Sequence, residues 1–378
     1  MGGRIEWIIT GERLAAVADD WNRLAAQQET PFGRHAWFEA WWHAFGGDAQ
    51  LRVCALWRSG ELVGAFPLLA RRHRLEAMVN EHTPVFSPLA RDGAARAQLV
   101  EAVLATSLSE VEVDALEGCD PAVEHLIEGA KARGRPSLIE AVHVSPVVEI
   151  ESDFAAFRRR HREKWREIER RRRKLEREHT ADFAPIARPA AVLEELDAAL
   201  AVEGSGWKGE LGTAISSSPQ TLLFYRRVAE AFDATGELRL STLVVDGRLA
   251  AFDLALLYRN RYFLLKTGYD ESLRTLGPGL SLRLAVVETC FERGLDAHEF
   301  LGDDMAYKRM FANAERRHVG FRAYRRKPVP AARYLYRRAV RPLLRSTYVR
   351  IRGRTPREDR RLWSQRRLRG LGFGARVD

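Results

Sequence analysis

Six residues, Arg274-Thr275-Leu276-Gly277-Pro278-Gly279, bring together the groups that an anion needs at one turn. They follow a strand-like run, YFLLKTGYD from Tyr262, and lead into an apolar-periodic helix beginning near Leu280. Glycine lets a ligand approach the main chain closely. A helix N-terminus supplies unpaired N–H donors at the positive end of the helix dipole. The chemistry is therefore that of a phosphate or pyrophosphate site, with Arg274 as countercharge. The same residues would also make a plain glycine-rich turn with a solvated arginine, and the spacing alone leaves both readings open.

Other common chemistries leave no pattern. Cys54, Cys119 and Cys290 are too scattered for a disulfide framework or a metal site, and are expected to be reduced and packed in cores. Histidines such as His35, His82, His161 and His298 are isolated, and no H-E-x-x-H occurs. No metal is expected.

The elements that must position the turn can be read from periodicity. Three strands precede it, Leu238 to Val245, Leu249 to Tyr258 and Tyr262 to Gly268, joined at Asp246-Gly247-Arg248 and Arg259-Asn260-Arg261 by hairpin chemistry. After its helix come a short strand, Ala297 to Leu301, the segment Gly302-Asp303-Asp304-Met305-Ala306-Tyr307-Lys308, and a strand over Val319 to Arg325. Upstream, Phe38, Trp41, Trp42 and Phe45 form an apolar helical stripe suited to core packing. Leu51 to Trp57 and Leu62 to Leu69 read as a hairpin, and Val111 to Leu116 and Ser137 to Ile150 as further strands. A charged helix from Ser152 to about Glu178, capped by Ser152 or Asp153, starts a second unit. Its arginines alternate with glutamates at three- and four-residue spacing, the signature of a solvated, self-paired face. The expected organisation is α/β (α+β): a domain over 1–150, a second over 151–327, and a basic helical tail over 328–378.

The chain has 378 residues and a formal net charge of +10. From Arg322 onward there are 19 Lys and Arg against 3 Asp and Glu, a net of +16, which leaves residues 1–321 at −6. The basicity thus belongs to the tail. No run of about 18 apolar residues suggests a membrane span, and the opening MGGRIEWIITGERL lacks the apolar core of a signal peptide, so a cytoplasmic location is expected.

An antiparallel three-strand meander, an R-x-x-G-x-G turn, a helix, a strand and a tyrosine-bearing segment resemble the layout of the GNAT acetyltransferases. The chain to about Arg326 looks like the CelD-like branch of that superfamily, distantly similar to the FemABX peptidyltransferases. The matching features are the aromatic helix Trp37 to Phe45 after Pro31-Phe32, LVGAFPL, WKG at 207–209, LVVDGRLAAF, the GPG turn and GDDMAYK. The resemblance implies two GNAT-like domains with mixed, mostly antiparallel sheets flanked by helices. It also implies acyl-CoA or acetyl-CoA as co-substrate, its pyrophosphate on Arg274, Gly277, Pro278 and Gly279. Pro278 departs from the pattern by removing a main-chain N–H.

By the same resemblance Tyr307 stands where the superfamily often places the acid that protonates the leaving thiolate; a packed tyrosine beside Phe311 is the plainer role. Asp303 and Asp304 would be either a general base, adjacent carboxylates raising one another, or caps of the following helix. Lys208 and Lys308 would hold an anionic acceptor or the donor phosphates, or else be plain surface lysines; Trp207 would stack on a sugar, line the acyl channel or simply pack; and Asp253 would face the cleft. The acceptor implied is a small molecule or sugar in cell-surface polysaccharide production. A FemABX-like transferase using aminoacyl-tRNA and a nonenzymatic nucleic-acid-binding protein are the rival classes. Nucleic acid fits an acidic body poorly. In the tail, Arg333, Arg337, Arg338, Arg341 and Arg345 share one helical side opposite Leu335, Tyr336, Val340 and Leu343. Such a helix would lie on an anionic membrane, or pack its apolar side on the body and leave the arginines in water.

Overall fold

A computed structural model describes residues 3–205, 215–341, 343 and 344. In chain order the first half comprises β1 (Arg4–Ile8), α1 (Gly11–Ala16), α2 (Ala18–Ala25), α3 (His35–Phe45), β2 (Gln50–Leu51), β3 (Val53–Arg58), β4 (Glu61–Phe66), β5 (Leu68–Arg71), β6 (Arg74–Ala77), β7 (Leu89–Ala90), α4 (Gly93–Leu104), β8 (Glu110–Glu117), α5 (Pro121–Ala132) and β9 (Ser137–Glu149). The second half comprises α6 (Phe154–Glu178), β10 (Ala181–Ala184), α7 (Val192–Ser205), α8 (Pro219–Ala234), β11 (Leu238–Val245), β12 (Arg248–Tyr258), β13 (Arg261–Tyr269), α9 (Pro278–Glu292), β14 (Ala297–Glu299), α10 (Ala306–Arg309), β15 (Ala314–Tyr324) and α11 (Pro328–Leu335).

The expected meander is present as β11-β12-β13. Its turns hold Asp246, Gly247, Arg259 and Asn260 at positive φ, as two-residue hairpins that follow strand twist require. Strand β13 runs parallel to β14 over three residue pairs, Arg261↔Ala297 to Phe263↔Glu299, with α9 as the crossover. The first half repeats this arrangement: β6 runs parallel to β8 over Arg74↔Glu110 to Glu76↔Glu112, with α4 between them. In both halves the parallel pair then splays. Leu301 and Ala115, both at positive φ, mark the bends just beyond.

The halves are joined by exchanged strands. β9, the last strand of the first half, pairs with β14 of the second; β15, near the end of the second, pairs with β8 of the first. β9 and β15 lie side by side, and one sheet of eleven strands runs β10-β11-β12-β13-β14-β9-β15-β8-β6-β5-β2. A separate sheet, β1-β3-β4-β7, completes the first half. Helix α3 buries Phe38 and Trp41 of the expected stripe, packs Trp42 and Phe45 partly buried against the core, and also buries Trp37, which meets Phe224 of α8 edge to face at 5.1 Å and ties the halves together. On the opposite face α6 and α9 pack through Phe157, Trp165, Leu282 and Val286.

Several local expectations change. The helix read over Leu14 to Ala26 breaks at Val17, and Asp153, not Ser152, caps α6. Cys54 and Cys290 are buried but Cys119 is exposed. Burial pushes the Cys54 thiol up to about 12. In the tail, Arg333 pairs with the buried carboxylate of Glu110, and Arg337 and Arg341 bond Glu140 at 2.9 and 3.0 Å. Leu335, Tyr336, Val340 and Leu343 face solvent. This is the reverse of a packed apolar side. A buried carboxylate is costly without a cation beside it, whereas a few exposed aliphatic side chains cost little. Arg345 and the rest of the tail lie outside the described residues. Among the described residues no helix is long and apolar enough to cross a membrane.

Candidate active site

The turn at 271–276 ends at Gly277, whose φ of 63° and ψ of 47° suit glycine, and α9 begins at Pro278 with no side-chain cap on its N-terminal amides. These residues open onto a cavity of about 520 Å³ that also takes in Arg171, Arg274, Tyr269, Thr267 and Tyr307. Arg171 was missed by sequence reasoning. It sits in the self-paired arginine run, and its Nε does bond Glu167 at 2.7 Å, but its side chain passes within 3.2 Å of the place a Cβ on Gly277 would take. Helix α6 thereby brings a second guanidinium to the same turn as exposed Arg274.

The equivalent position in the first half is filled. Asp92 caps α4 by accepting from the Ala95 N–H at 2.6 Å, and Arg58 bonds the same carboxylate at 3.0 Å. Hydrogen bonding to Ala95, with the Arg58 charge beside it, holds that carboxyl below its usual range. An anion of the chain itself thus occupies the positive end of α4, while α9 leaves its end open. Calorimetric titration with CoA is expected to give one site per chain; two sites would contradict this asymmetry.

A second cavity, about 450 Å³, lies between the two splayed strand pairs. The first half lines it with the loop after β6, which carries His82, and with Asp114 and His143; the second half adds Tyr225, Lys266 and the segment Phe300 to Asp303. Thr267 and Tyr307 line both cavities. They stand at the boundary where the gap between β13 and β14 lets the two meet. Tyr307 is half-buried at the start of α10, edge-on to Phe300 at 6.4 Å, and burial raises its phenol while the Arg283 charge opposes the shift.

Of the remaining described candidates, Asp303 and Lys308 line the second cavity, and Asp253 and Asp304 do not. Asp253 does not face the cleft. It lies buried beneath α9, with Arg283 Nη2 donating to it at 2.5 Å and His298 beside that guanidinium at 3.2 Å. Removing one partner of such a buried pair costs about 3–5 kcal/mol. Lys308 is not a surface lysine; its Nζ donates to the carbonyls of Leu301 and Asp303 and holds that bend closed. Asp304 bonds Arg309 at 2.6 Å, which lowers its pKa, so adjacency to Asp303 has not made it a base. Neither aspartate caps α10, whose N-cap is Met305. Asp303 lines the second cavity. Trp207 and Lys208 lie outside the described residues. Among the described residues no group of three or more His, Cys, Asp or Glu is arranged to hold a metal ion.

Comparison with known proteins bears on the fold. Residues 158–309 match the family model described as an acetyltransferase (GNAT) domain. FemX is similar at a TM-score of 0.55 and 11% identity, over 88% of this chain and all of that one. So is the C-terminal domain of a protein assigned as a lysylphosphatidylglycerol synthetase from Agrobacterium fabrum, at a TM-score of 0.52 and 11% identity, over 89% of this chain and 97% of that one. No curated protein sequence matches. Similarity at this identity shows fold alone. The fold is mixed α/β with two halves of like topology, and residues 158–309 are the part that matches the acetyltransferase (GNAT) domain model.

Proposed function

We propose that the chain is a CoA-dependent acyltransferase, with the donor in the cavity at Gly277 to Gly279 and the acceptor in the cavity between the halves. The observation that carries this reading is that two cavities of comparable size share Thr267 and Tyr307 as a common wall. The donor pyrophosphate would lie on the α9 amides between Arg274 and Arg171, where helix N-terminus and guanidinium charges add. Its thioester would reach Thr267 and Tyr307. An amine or hydroxyl from the other side would attack the carbonyl, and the Tyr307 phenol would protonate the departing thiolate. The resemblance to the CelD-like branch suggests a sugar or lipid-linked sugar of cell-surface polysaccharide as acceptor, and the basic tail suggests peripheral contact with an anionic membrane.

Gly279→Val is the sharper test of the donor site. A Cβ there meets the Tyr269 ring at 3.3 Å, so valine would crowd the approach to the main chain. Substituting Gly277 would add backbone strain of about 1–2 kcal/mol and confuse the result. Isothermal titration with CoA should show affinity reduced tenfold or more, about 1.4 kcal/mol, with an unchanged melting temperature. Equal affinity would remove the pyrophosphate assignment. Mass spectrometry of what purifies with the wild type separates the rival: a CoA species supports this reading, and tRNA favours the FemABX-like one.

A further inference from the structure

We propose that His82, contributed by the first half, accepts the proton of the attacking nucleophile; this rests on the acyltransferase reading above. No sequence pattern marks this histidine. It follows β6 past the splay, in a turn where Asn80 Oδ1 accepts from the His82 N–H at 3.0 Å and Thr83 N bonds the Asn80 carbonyl at 3.0 Å. Its ring is clamped on two sides, stacked on Phe45 at 5.5 Å and 16° and edge-on to Tyr225 at 5.6 Å. Its side chain is 11% exposed, and it lines the cavity shared by the two halves.

Among the described residues the ring nitrogens have long hydroxyl contacts, Nε2 to Thr221 Oγ1 and Nδ1 to Tyr225 Oη, each 3.4 Å, and Nε2 also lies 3.8 Å from Glu81 Oε1. Such contacts orient the imidazole without consuming its lone pair, because the hydroxyls can turn away. Among the described residues the charged and titratable groups around it are Lys266, whose ammonium lies 5.2 Å over the Tyr225 ring, Glu81 at 3.8 Å, Glu203 and Tyr225. Burial, with Lys266 adding to it and the two glutamates opposing, lowers the imidazole to about 4. It is therefore neutral at physiological pH and has a lone pair to offer. Burial keeps Tyr225 protonated, so it does not compete for the proton.

The step balances. As the nucleophile's N or O bonds the thioester carbon, its proton passes to His82. An amine N–H becomes acidic only once attack has placed positive charge on nitrogen, so a weak base suffices there. When the C–S bond breaks, the sulfur takes the Tyr307 proton, and the imidazolium and the phenolate then return to neutrality by one net proton transfer. Base and acid thus come from opposite halves of the chain and meet across one cavity.

The test uses the full chain with acetyl-CoA and hydroxylamine, a small surrogate nucleophile neutral at pH 7, forming the hydroxamate. His82→Gln should lower kcat by about 10²–10⁴-fold with an unchanged KM for acetyl-CoA, and added imidazole should restore part of the rate. With rates expressed per concentration of neutral hydroxylamine, which is itself protonated in acid, Lys266→Met, which removes the facing ammonium, should move the acid limb of the pH profile upward, because the rate falls where His82 becomes protonated. Because His82 packs on Phe45, CoA affinity and the melting temperature of His82→Gln serve as controls on folding, and the Lys266→Met profile decides if that variant is unfolded. A folded His82→Gln at the wild-type rate overturns the assignment, as does a Lys266→Met profile identical to wild type. A wild type that neither binds nor turns over acetyl-CoA overturns the donor reading beneath it, a result distinct from binding and turnover that ignore His82.

Discussion

Replacing Tyr307 with phenylalanine lowers turnover by about 10²–10⁴-fold, the loss usual for a general acid, and leaves donor affinity and melting temperature near those of the wild type. The substitution removes one hydroxyl and keeps the ring that meets Phe300 edge-on. Burial keeps the phenol protonated, with the Arg283 charge opposing that shift and the Asp253 charge adding to it. Steady-state assay with acetyl-CoA, alongside calorimetry with CoA, separates the roles. A uniform loss of binding would make Tyr307 part of the donor pocket wall, and an unchanged kcat would remove it from the chemistry.

Separating the chain at Ile150 yields two polypeptides that do not fold alone. Cut there, β14 loses β9 and β15 loses both β8 and β9. Val147, Val148, Phe321 and Ala323 are each fully buried in the intact chain. Exposing large apolar side chains of this kind costs about 1.5–3 kcal/mol each, and a few of them match the whole stability of a typical domain, about 5–15 kcal/mol. The lost ladder hydrogen bonds, the bared edges of β8 and β14, and β9 and β15 left without any strand partner add to that. Circular dichroism and gel filtration of 1–150 and 151–344 expressed singly should show unfolded or aggregated chains, and co-expression should restore a one-to-one complex. Either half alone as a folded monomer would show that the exchanged strands are dispensable.

Which parts of this were legible in the sequence follows from the range of the forces involved. Hairpin turns, the glycine turn before α9 and the aromatic stripe of α3 are set within a few residues, and local patterns carried them. Partner choice is not local. β9 and β15 each read as strands, yet nothing in either run says that each completes the other half's sheet. The two halves share a cavity for the same reason, so His82 was an isolated loop histidine until the splay of β6 and β8 placed it opposite Lys266. Arg171 has a glutamate at helical spacing, which explained it fully in one dimension while its contact with the Gly277 turn belongs to the third. The tail's amphipathic character was visible, but not which side docks, since that depends on Glu110 and Glu140 on strands far earlier in the chain. Asp253 looked like a cleft residue on an apolar strand because its partner, Arg283, is on a later helix.

The exchange of strands also orders events on the ribosome. β8 is complete at Glu117, and its neighbour β15 begins only at Ala314. Synthesis of the intervening chain, at about 5–20 residues per second, takes on the order of 10–40 s. Throughout that interval the nascent first half holds β8 with one edge bare, a template for wrong pairing. The cavity between the halves takes lining residues as late as Lys308, so a translation product interrupted before then carries the His82 wall without all of the opposing one.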